Sequence, residues 1–275
     1  MELQVLVATV GKPDASLIEK MNLRQDAIIA DQWGCWRRDE LETEGHRVQV
    51  LSSDTIGVGI NRNLALQAAE ADILLFADDD ITYYDGDLQP VIDAFRELPD
   101  ADVIFFAVDM TKNGEIFDRR RHKRKRLHLW NSLKYGACRM AVRRSAIIQK
   151  RLCFSTLFGG GCIYCSGEDT IFIRDCFRAG LRAYAHPYVL GACAKDCSSW
   201  FSGFHEKYFY DRGAMLACAF PRSKHLMKWY FAKKLVRKSG VVMRNIIRHM
   251  NAGIRGFQSL TPYESEQGGN DHGKA

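Results

Sequence analysis

The sequence lacks several features that would assign it to a membrane or secreted class. No apolar run in its 275 residues approaches the 18 or more that a membrane-spanning helix needs. The N-terminus has no basic stretch followed by an apolar core, so we expect no secretory signal. Its nine cysteines are odd in number and irregularly spaced, which argues against a disulfide framework and favours a reduced, cytosolic setting.

Acidic residues are missing from one long stretch near the C-terminus. Between Arg212 and Tyr263 there are eleven Lys and Arg residues and no Asp or Glu, although the whole chain carries a net charge of only +6. A second basic run, Arg119 to Arg126, interrupts an otherwise acidic remainder. Positive charge concentrated in this way indicates a polyanionic partner, which is a membrane surface, a phosphate group or a nucleic acid.

Short apolar segments alternate with helical patterns over the first 110 residues, which predicts an α/β fold with a mostly parallel central sheet and helices on both faces. The predicted strands are Leu3–Thr9, Ala27–Asp31, Arg47–Leu51, Ile73–Ala77 and Val103–Val108, and the helices between them are Asn61–Ala69 and Leu88–Leu98. A composition of 47% hydrophobic residues supports one sizeable core. We therefore expect a catalytic domain over residues 1–221 and a basic helical tail with a disordered end over residues 222–275.

Three consecutive aspartates, Asp78, Asp79 and Asp80, follow the apolar run Ile73–Ala77 directly. Such a run predicts a buried parallel strand, and ligands of open α/β sheets bind where these strands end. Three crowded carboxylates repel one another unless a cation such as Mg²⁺ or Mn²⁺ neutralises them. A solvated acidic turn or a helix N-cap is the alternative interpretation.

Three further segments carry polar groups near predicted strand or helix ends. Asp31 closes the second strand and is either a ligand contact or a turn aspartate. The glycine-rich turn that begins at Gly57 leads into a helix, where Arg62 could face a diphosphate or the turn could only cap the helix. Glu168 and Asp169 open another helix, a position that the helix dipole alone would also explain.

Together these motifs resemble, in order and over roughly residues 3–213, the family-2 glycosyltransferases, which are inverting enzymes with the GT-A fold. The similarity is to a short, non-processive bacterial type, since the Q-x-x-R-W pattern of polymerising synthases is absent. The motifs are Ala8-Thr9-Val10-Gly11, Ile28-Ile29-Ala30-Asp31-Gln32, the segment from Gly57 to Ala65, Phe76-Ala77-Asp78-Asp79-Asp80, and Gly167-Glu168-Asp169.

The resemblance implies roles for individual residues. It places Asp31 against the base of a uridine nucleotide. It also implies that Asp80 ligates the metal while Asp78 faces the sugar nucleotide. Because the chain has a third aspartate, Asp79, between them, these two roles could each be shifted by one residue. The metal ligands expected are therefore Asp80 and Asp78, for Mn²⁺ or Mg²⁺. Asp169 is expected to be the catalytic base, oriented by Glu168. The resemblance implies a nucleotide-sugar donor of the UDP-sugar type, and its expected contacts are Thr9, Asp31, Arg62, Asp78 and Asp79.

Cysteine and histidine residues in the second half leave other metal sites open. Cys162 and Cys165, and Cys193 and Cys197, are spaced as zinc ligands can be, although free thiols are the more ordinary interpretation. His186 or His205 could supply a late metal ligand. Ser198-Ser199-Trp200-Phe201 corresponds to a segment that lines the acceptor site in related enzymes.

The basic tail has two interpretations. Apolar residues such as Trp229 and Phe231 among the lysines and arginines of residues 224–255 fit an interfacial helix on an anionic membrane surface, with Gly240 as a break. A helix packed on the catalytic domain with a solvated basic face fits equally. With the family resemblance, the first interpretation predicts a peripheral protein on the cytoplasmic face of the cell membrane and a glycan or lipid-linked acceptor for surface polysaccharide synthesis.

Two alternative functions would each explain part of the sequence. A sugar nucleotidyltransferase would share the sheet and the aspartates, but the loop after the first strand, Val10-Gly11-Lys12-Pro13, lacks a triphosphate-binding composition. A non-enzymatic polyanion-binding protein would explain the basic runs. No segment resembles a nucleic-acid recognition module, so no nucleic-acid partner is expected.

Overall fold

The computed structural model describes residues 1–11, 15–32, 34–43, 45–119, 123–194, 203–260 and 263. The chain divides into two compact units. The first comprises Met1–Thr156 and Glu168–Ser198, and the second comprises Leu157–Gly167 and Ser199–Ala275. The helix Glu206–Ala219, which precedes residue 221, lies in the second unit together with the C-terminal helices. The domain boundary that we expected after residue 221 stays a prediction.

The first unit is built on one mixed sheet. Its strands are β1 (Leu3–Thr9), β2 (Ala27–Gln32), β3 (Arg37–Thr43), β4 (His46–Ser53), β5 (Ile73–Asp78), β6 (Ile81–Tyr83), β7 (Val103–Lys112), β8 (Glu115–Arg119), β9 (Lys125–Arg126), β10 (Met140–Arg143) and β11 (Ala183–Ala194). Along the sheet the order is β3-β4-β2-β1-β5-β10-β7-β11-β6, with β8 on β7 and β9 on β11. Strands β4, β2, β1 and β5 are parallel, as are β7 and β11, while β10 runs antiparallel between them.

Helices cover both faces of this sheet. They are α1 (Ala15–Met21), α2 (Val58–Ala68), α3 (Gln89–Glu97), α4 (Leu129–Ser132), α5 (Arg144–Gln149) and α6 (Glu168–Arg178), with a 3-10 turn at Ala137–Arg139. Side chains of α1 and α3 join one hydrophobic core and those of α2, α5 and α6 join the other. Because both faces are covered, β1 and β5 are apolar along almost their whole length. The predicted α/β fold with one central sheet is confirmed.

The second unit is helical. It contains α7 (Glu206–Ala219), α8 (Lys224–Ser239) and α9 (Met243–Ser259). Helices α7 and α9 cross closely: a Cβ on Gly213 would lie 2.0 Å from the Met250 carbonyl oxygen, and one on Gly253 would lie 1.8 Å from that of Tyr210. The predicted break at Gly240 is present, with a left-handed φ of 70°. The tail helices therefore pack on α7, and none of the helices in the described ranges combines the length and apolar composition that a membrane crossing requires.

Candidate active site

Polar groups predicted from separate motifs lie side by side where neighbouring parallel strands end. Thr9 at the end of β1 is in register with Asp31 of β2, and Ala8 is in register with Asp78 of β5. The Thr9 hydroxyl donates to Asp79 Oδ2 at 2.5 Å. The structure thus brings Thr9, Asp31, Asp78 and Asp79 to one edge, because carboxyl ends of parallel strands face the same side of a sheet.

Asp31 lies fully buried in this edge. Its Oδ1 accepts a hydrogen bond from the Gly11 amide at 2.7 Å. Burial raises the pKa of Asp31, and hydrogen bonds from the Gly11 amide and the Ser52 hydroxyl act in the opposite direction. The carboxylate is therefore held by a short turn after β1, with the acceptor capacity that pairing to a nucleotide base would need.

Arg62 connects the aspartate motif to the helix that carries Asp169. Its side chain is 4% exposed, and Nη2 lies 2.7 Å from Asp78 Oδ1 while Nη1 lies 3.0 Å from Asp169 Oδ1 and 3.5 Å from Glu168 Oε1. Burial lowers the pKa of Arg62, but the charges of Asp78, Asp169 and Glu168 outweigh this and hold it above its ordinary value. The guanidinium therefore contacts three carboxylates, and its expected contact with the donor diphosphate stays a prediction.

The local sequence explains why Arg62 reaches this position. Gly57, with φ of 136°, turns the chain from β4 into α2, and its amide donates to Gln32 Oε1 at 2.7 Å. A Cβ on Gly59 would lie 2.0 Å from the Ser155 carbonyl oxygen, so glycine lets α2 approach that segment. The Arg62 guanidinium then stacks 5.3 Å from the Phe154 ring centroid. In this structure the glycine-rich turn serves helix packing.

Asp169 lies in the first turn of α6 against the 3-10 turn that precedes β10. The Ala137 amide donates to its carboxylate, and a Cβ on Gly136 would lie 3.1 Å from Asp169 Oδ2. Burial, together with the charges of Glu168 and Asp78, raises the pKa of Asp169 to about 7, against the opposing effect of Arg62. A carboxylate with a pKa near neutrality suits a general base.

Asp80 lies on the other side of the aspartate motif, next to β11. Its carbonyl oxygen accepts from the Ala194 amide at 3.2 Å, and its carboxylate accepts from the Cys193 thiol. Burial, followed by the charge of Asp78, raises its pKa to about 6. Its Oδ1 is buried without a hydrogen-bond partner in the described part of the chain. An orphaned carboxylate oxygen beside a second carboxylate fits a divalent cation whose other ligands come from substrate oxygens.

The two histidines that we considered as metal ligands contact other groups in the structure. His186 pairs with Glu97 at 3.7 Å in the first unit, and in the second unit His205 caps α7 by accepting from the Tyr208 amide. Among the described residues, no group of three or more His, Cys, Asp or Glu side chains could by itself hold a metal ion. Cys197 and the segment Ser198-Ser199-Trp200-Phe201 lie outside the described residues.

Several residues at the site were not predicted from the sequence. Asn61 is buried and its Nδ2 donates to the carbonyl oxygens of Thr9 and Ala30, at 3.0 and 2.8 Å, which ties the ends of β1 and β2 together. Cys138 lies close enough to the acidic cluster for its pKa to respond to Asp78, Asp169 and Asp80. Asn61 lies within the Gly57–Ala65 motif but was given no role there, and Cys138 lies in no motif, so only the structure reveals these contacts.

Comparison with known proteins supports the same identification. Residues 38–154 match the family described as glycosyl transferase family 2, a range that contains Arg62 and the three aspartates and ends before Glu168 and Asp169. No curated protein gives a significant match to the chain.

Solved structures share the fold at low sequence identity. The crystal structure of residues 1–349 of S. aureus TarS in complex with UDP-GlcNAc matches with a TM-score of 0.61 and 14% identity, covering 96% of this chain and 93% of TarS 1–349. The UDP complex matches with a TM-score of 0.59 and 14% identity, covering 95% and 90%. The longer S. aureus TarS structure matches with a TM-score of 0.57 and 15% identity, covering 86% and 44%. The resemblance to the family-2 glycosyltransferases that the motifs predicted is therefore confirmed, by the family match over residues 38–154 and by a fold shared over nearly the whole chain.

Proposed function

We propose that this protein is an inverting glycosyltransferase that moves a sugar from a UDP-sugar to a glycan or lipid-linked acceptor. The observation that carries this proposal is the Arg62 ion-pair network, which joins Asp78 of the aspartate motif to Asp169. A donor-binding carboxylate and a base are the two groups that a single-displacement transfer needs in one site. The binding of UDP and UDP-GlcNAc by the TarS structures supports the choice of donor.

In the proposed reaction, Asp169 accepts the proton of the acceptor hydroxyl. The acceptor oxygen forms a bond to the anomeric carbon as the bond from that carbon to the diphosphate oxygen breaks, and UDP leaves with the electron pair. Attack from the side opposite the leaving group inverts the configuration. Arg62 and the Ala137 amide hold the Asp169 carboxylate in its orientation and favour its ionised form.

The nucleotide end of the donor is assigned to the strand edge. Asp31, held by the Gly11 amide, would accept a hydrogen bond from the uracil ring, and Thr9 and Asp79 would lie beside the ribose and diphosphate. Asp80 and Asp78 would hold Mg²⁺ or Mn²⁺, which when bound neutralises charge on the departing diphosphate. Glu168, the weaker partner of Arg62, would orient the base or contact the acceptor.

A donor screen tests this function directly. Purified protein would be incubated with a panel of UDP-sugars, and released UDP would be measured with MgCl₂ or MnCl₂ and with EDTA. We expect release from at least one UDP-sugar and little release from GDP- or CMP-sugars. Formation of a sugar nucleotide from a sugar phosphate and UTP would instead favour the nucleotidyltransferase alternative. Absence of both reactions would favour a polyanion-binding protein.

The raised pKa of Asp169 predicts how activity depends on pH. The base accepts a proton only when ionised, so kcat should fall as the pH drops through about 7. We expect an acidic limb about three units above the ordinary aspartate pKa. Initial rates between pH 5 and 9 at saturating donor would measure it. An acidic limb near pH 4 would contradict the assignment of this half-buried carboxylate as the base.

We further propose that α8 attaches the enzyme to anionic lipid at the cytoplasmic face of the membrane. Leu226, Trp229 and Tyr230 are exposed on α8 and are followed on the exposed surface by Lys233 and Lys234. Aromatic residues next to lysines are the composition of an interfacial helix. Buried residues of α8 and α9 pack within the second unit, so deleting the tail would also remove packing from α7.

Charge substitution on α8 gives a cleaner test than truncation. Replacing Lys233 and Lys234 with glutamine should weaken binding to phosphatidylserine-containing liposomes roughly 30-fold, at about 1 kcal/mol for each surface charge. The matched control replaces the exposed Lys150 and Arg151 of the first unit, and should change binding little. Sedimentation with liposomes at physiological salt measures both. Equal binding by the two double variants, or no binding by the unchanged protein, would contradict membrane attachment through α8.

A further inference from the structure

Arg139 is a buried cation that has no acidic partner among the residues that the structure describes. Its side chain belongs to a residue that is only 6% exposed, and Nη2 contacts the Met110 sulfur at 3.4 Å. The two other arginines that are buried in the described ranges both lie near carboxylates: Arg62 pairs with three, and Arg174 Nε is 3.2 Å from Asp175 Oδ1. Arginine is almost never buried unless it is paired, because removing its charge from water costs several kcal/mol.

The position of Arg139 connects it with the proposed reaction centre. It ends the 3-10 turn whose Ala137 amide donates to Asp169. Its neighbour in sequence, Cys138, lies near both the acidic cluster and Arg139. Burial and the charge of Asp78 raise the pKa of Cys138 to about 12, and the charge of Arg139 opposes this rise. Met110, the contact of Arg139, is in register with Cys193, whose thiol donates to Asp80.

The contacts of Arg62 show why a second cation near Asp169 would matter for binding a substrate anion. Arg62 is the other guanidinium at this edge, and three carboxylates already occupy it. A substrate anion entering beside Asp169 and Asp80 would meet carboxylates of its own sign. Arg139 offers the guanidinium donors that pair with phosphate or carboxylate oxygens.

We propose that Arg139 forms a subsite for an anionic oxygen group of the substrate, of phosphate type, beside the base. This inference rests on the proposed function and extends it to the charge of what the site binds. The anion belongs either to the diphosphate of the donor or to a phosphate carried by the acceptor. In both cases the bound oxygen replaces the missing carboxylate partner of Arg139, and binding supplies the neutralisation that the protein itself does not.

Binding experiments with two probes distinguish the sources. Isothermal titration would compare UDP with MgCl₂, and uridine as the probe without phosphate, on the unchanged protein, Arg139→Met and Arg139→Lys. Losing a charged hydrogen bond should reduce affinity about 10- to 100-fold. If Arg139 binds the donor, Arg139→Met weakens UDP binding by that factor and leaves uridine binding unchanged, and Arg139→Lys recovers part of the loss. If it binds the acceptor, UDP binding is unchanged and orthophosphate binding in the presence of UDP is lost.

A control variant and a measurement of Tm distinguish a lost anion contact from a damaged fold. Arg144→Met removes an arginine whose Nε donates to the carbonyl oxygen of Ala69, the residue after α2, and should leave all titrations unchanged. Arg139→Met replaces an unpaired buried charge with an apolar chain, so its Tm should equal or exceed that of the unchanged protein. A markedly lower Tm, or unchanged affinity of Arg139→Met for both UDP and orthophosphate, would overturn the subsite. If the unchanged protein fails to bind UDP, the UDP-sugar proposal fails, and titration with orthophosphate alone still tests Arg139.

Discussion

Asp169→Asn is expected to lower kcat by about 10²- to 10⁴-fold while UDP affinity changes little. Asparagine keeps the shape of the side chain but cannot take a proton from the acceptor hydroxyl. Arg62 keeps its ion pairs with Asp78 and Glu168, so the donor side of the site retains its structure. Steady-state rates with the donor identified in the screen, together with titration of UDP, measure the two quantities separately.

Glu168→Gln is the matched control for this substitution. Glu168 is next in sequence and shares the same Arg62 nitrogen, but at 3.5 Å rather than 3.0 Å. Glu168→Gln should therefore reduce kcat much less than Asp169→Asn does. A Glu168→Gln variant that is more impaired than Asp169→Asn would transfer the role of base to Glu168. A variant of Asp169 that lost UDP affinity and kept its turnover would show that Asp169 belongs to the donor site.

Asp80→Ala is expected to abolish metal-dependent transfer and to weaken UDP binding in MgCl₂ or MnCl₂. The reason is that the diphosphate would lose the carboxylate that holds its cation. Burial raises the pKa of Asp80 to about 6, so its ionised form is disfavoured and metal-dependent UDP affinity in the unchanged protein should fall below that pH. Titration of UDP with and without EDTA, at pH 5.5 and 7.5, measures both effects.

Asp79→Ala decides which aspartate holds the metal. Asp79 accepts from the Thr9 hydroxyl, so its removal should alter donor affinity while leaving a dependence on the metal. Asp80→Ala should melt at a Tm no lower than the unchanged protein, since a carboxylate with a raised pKa opposes folding when it is ionised. Full transfer by the unchanged protein in EDTA would contradict a metal at Asp80, and a metal requirement lost only in Asp79→Ala would shift the assignment by one residue.

The elements that were predicted well are those whose local pattern agrees with their final surroundings. The run Ile73–Ala77 is apolar throughout because β5 is central and covered on both faces, and the observed strand adds only Asp78. Gly240 ends α8 in a left-handed conformation, as a glycine after a helical pattern predicts. The basic tail was likewise predicted to be helical, and it forms α8 and α9.

Other elements were missed because tertiary pairing outweighed a weak or misleading local pattern. Strand β3, Arg37–Thr43, is charged and largely exposed and forms only because its backbone pairs with β4 at the sheet edge. Strand β11 contains Pro187, a residue that usually interrupts a strand, yet it runs from Ala183 to Ala194 through register shifts that accommodate the proline. Helix α7, which was not predicted, is mostly buried along its length.

The sequence by itself determined the class of fold, the order of the motifs and the acidic groups that gather at the ends of the strands. These follow from local periodicity and from the rule that parallel strands end on one side of a sheet. Only the tertiary structure decided which arginine pairs with which carboxylate. Arg62 lies 107 positions from Asp169 and 16 from Asp78, so their pairing depends on how α2 and α6 pack against the sheet. Within the described part of the chain Arg139 has no carboxylate partner for the same reason, because packing across the core, and not spacing along the chain, determines which side chains meet.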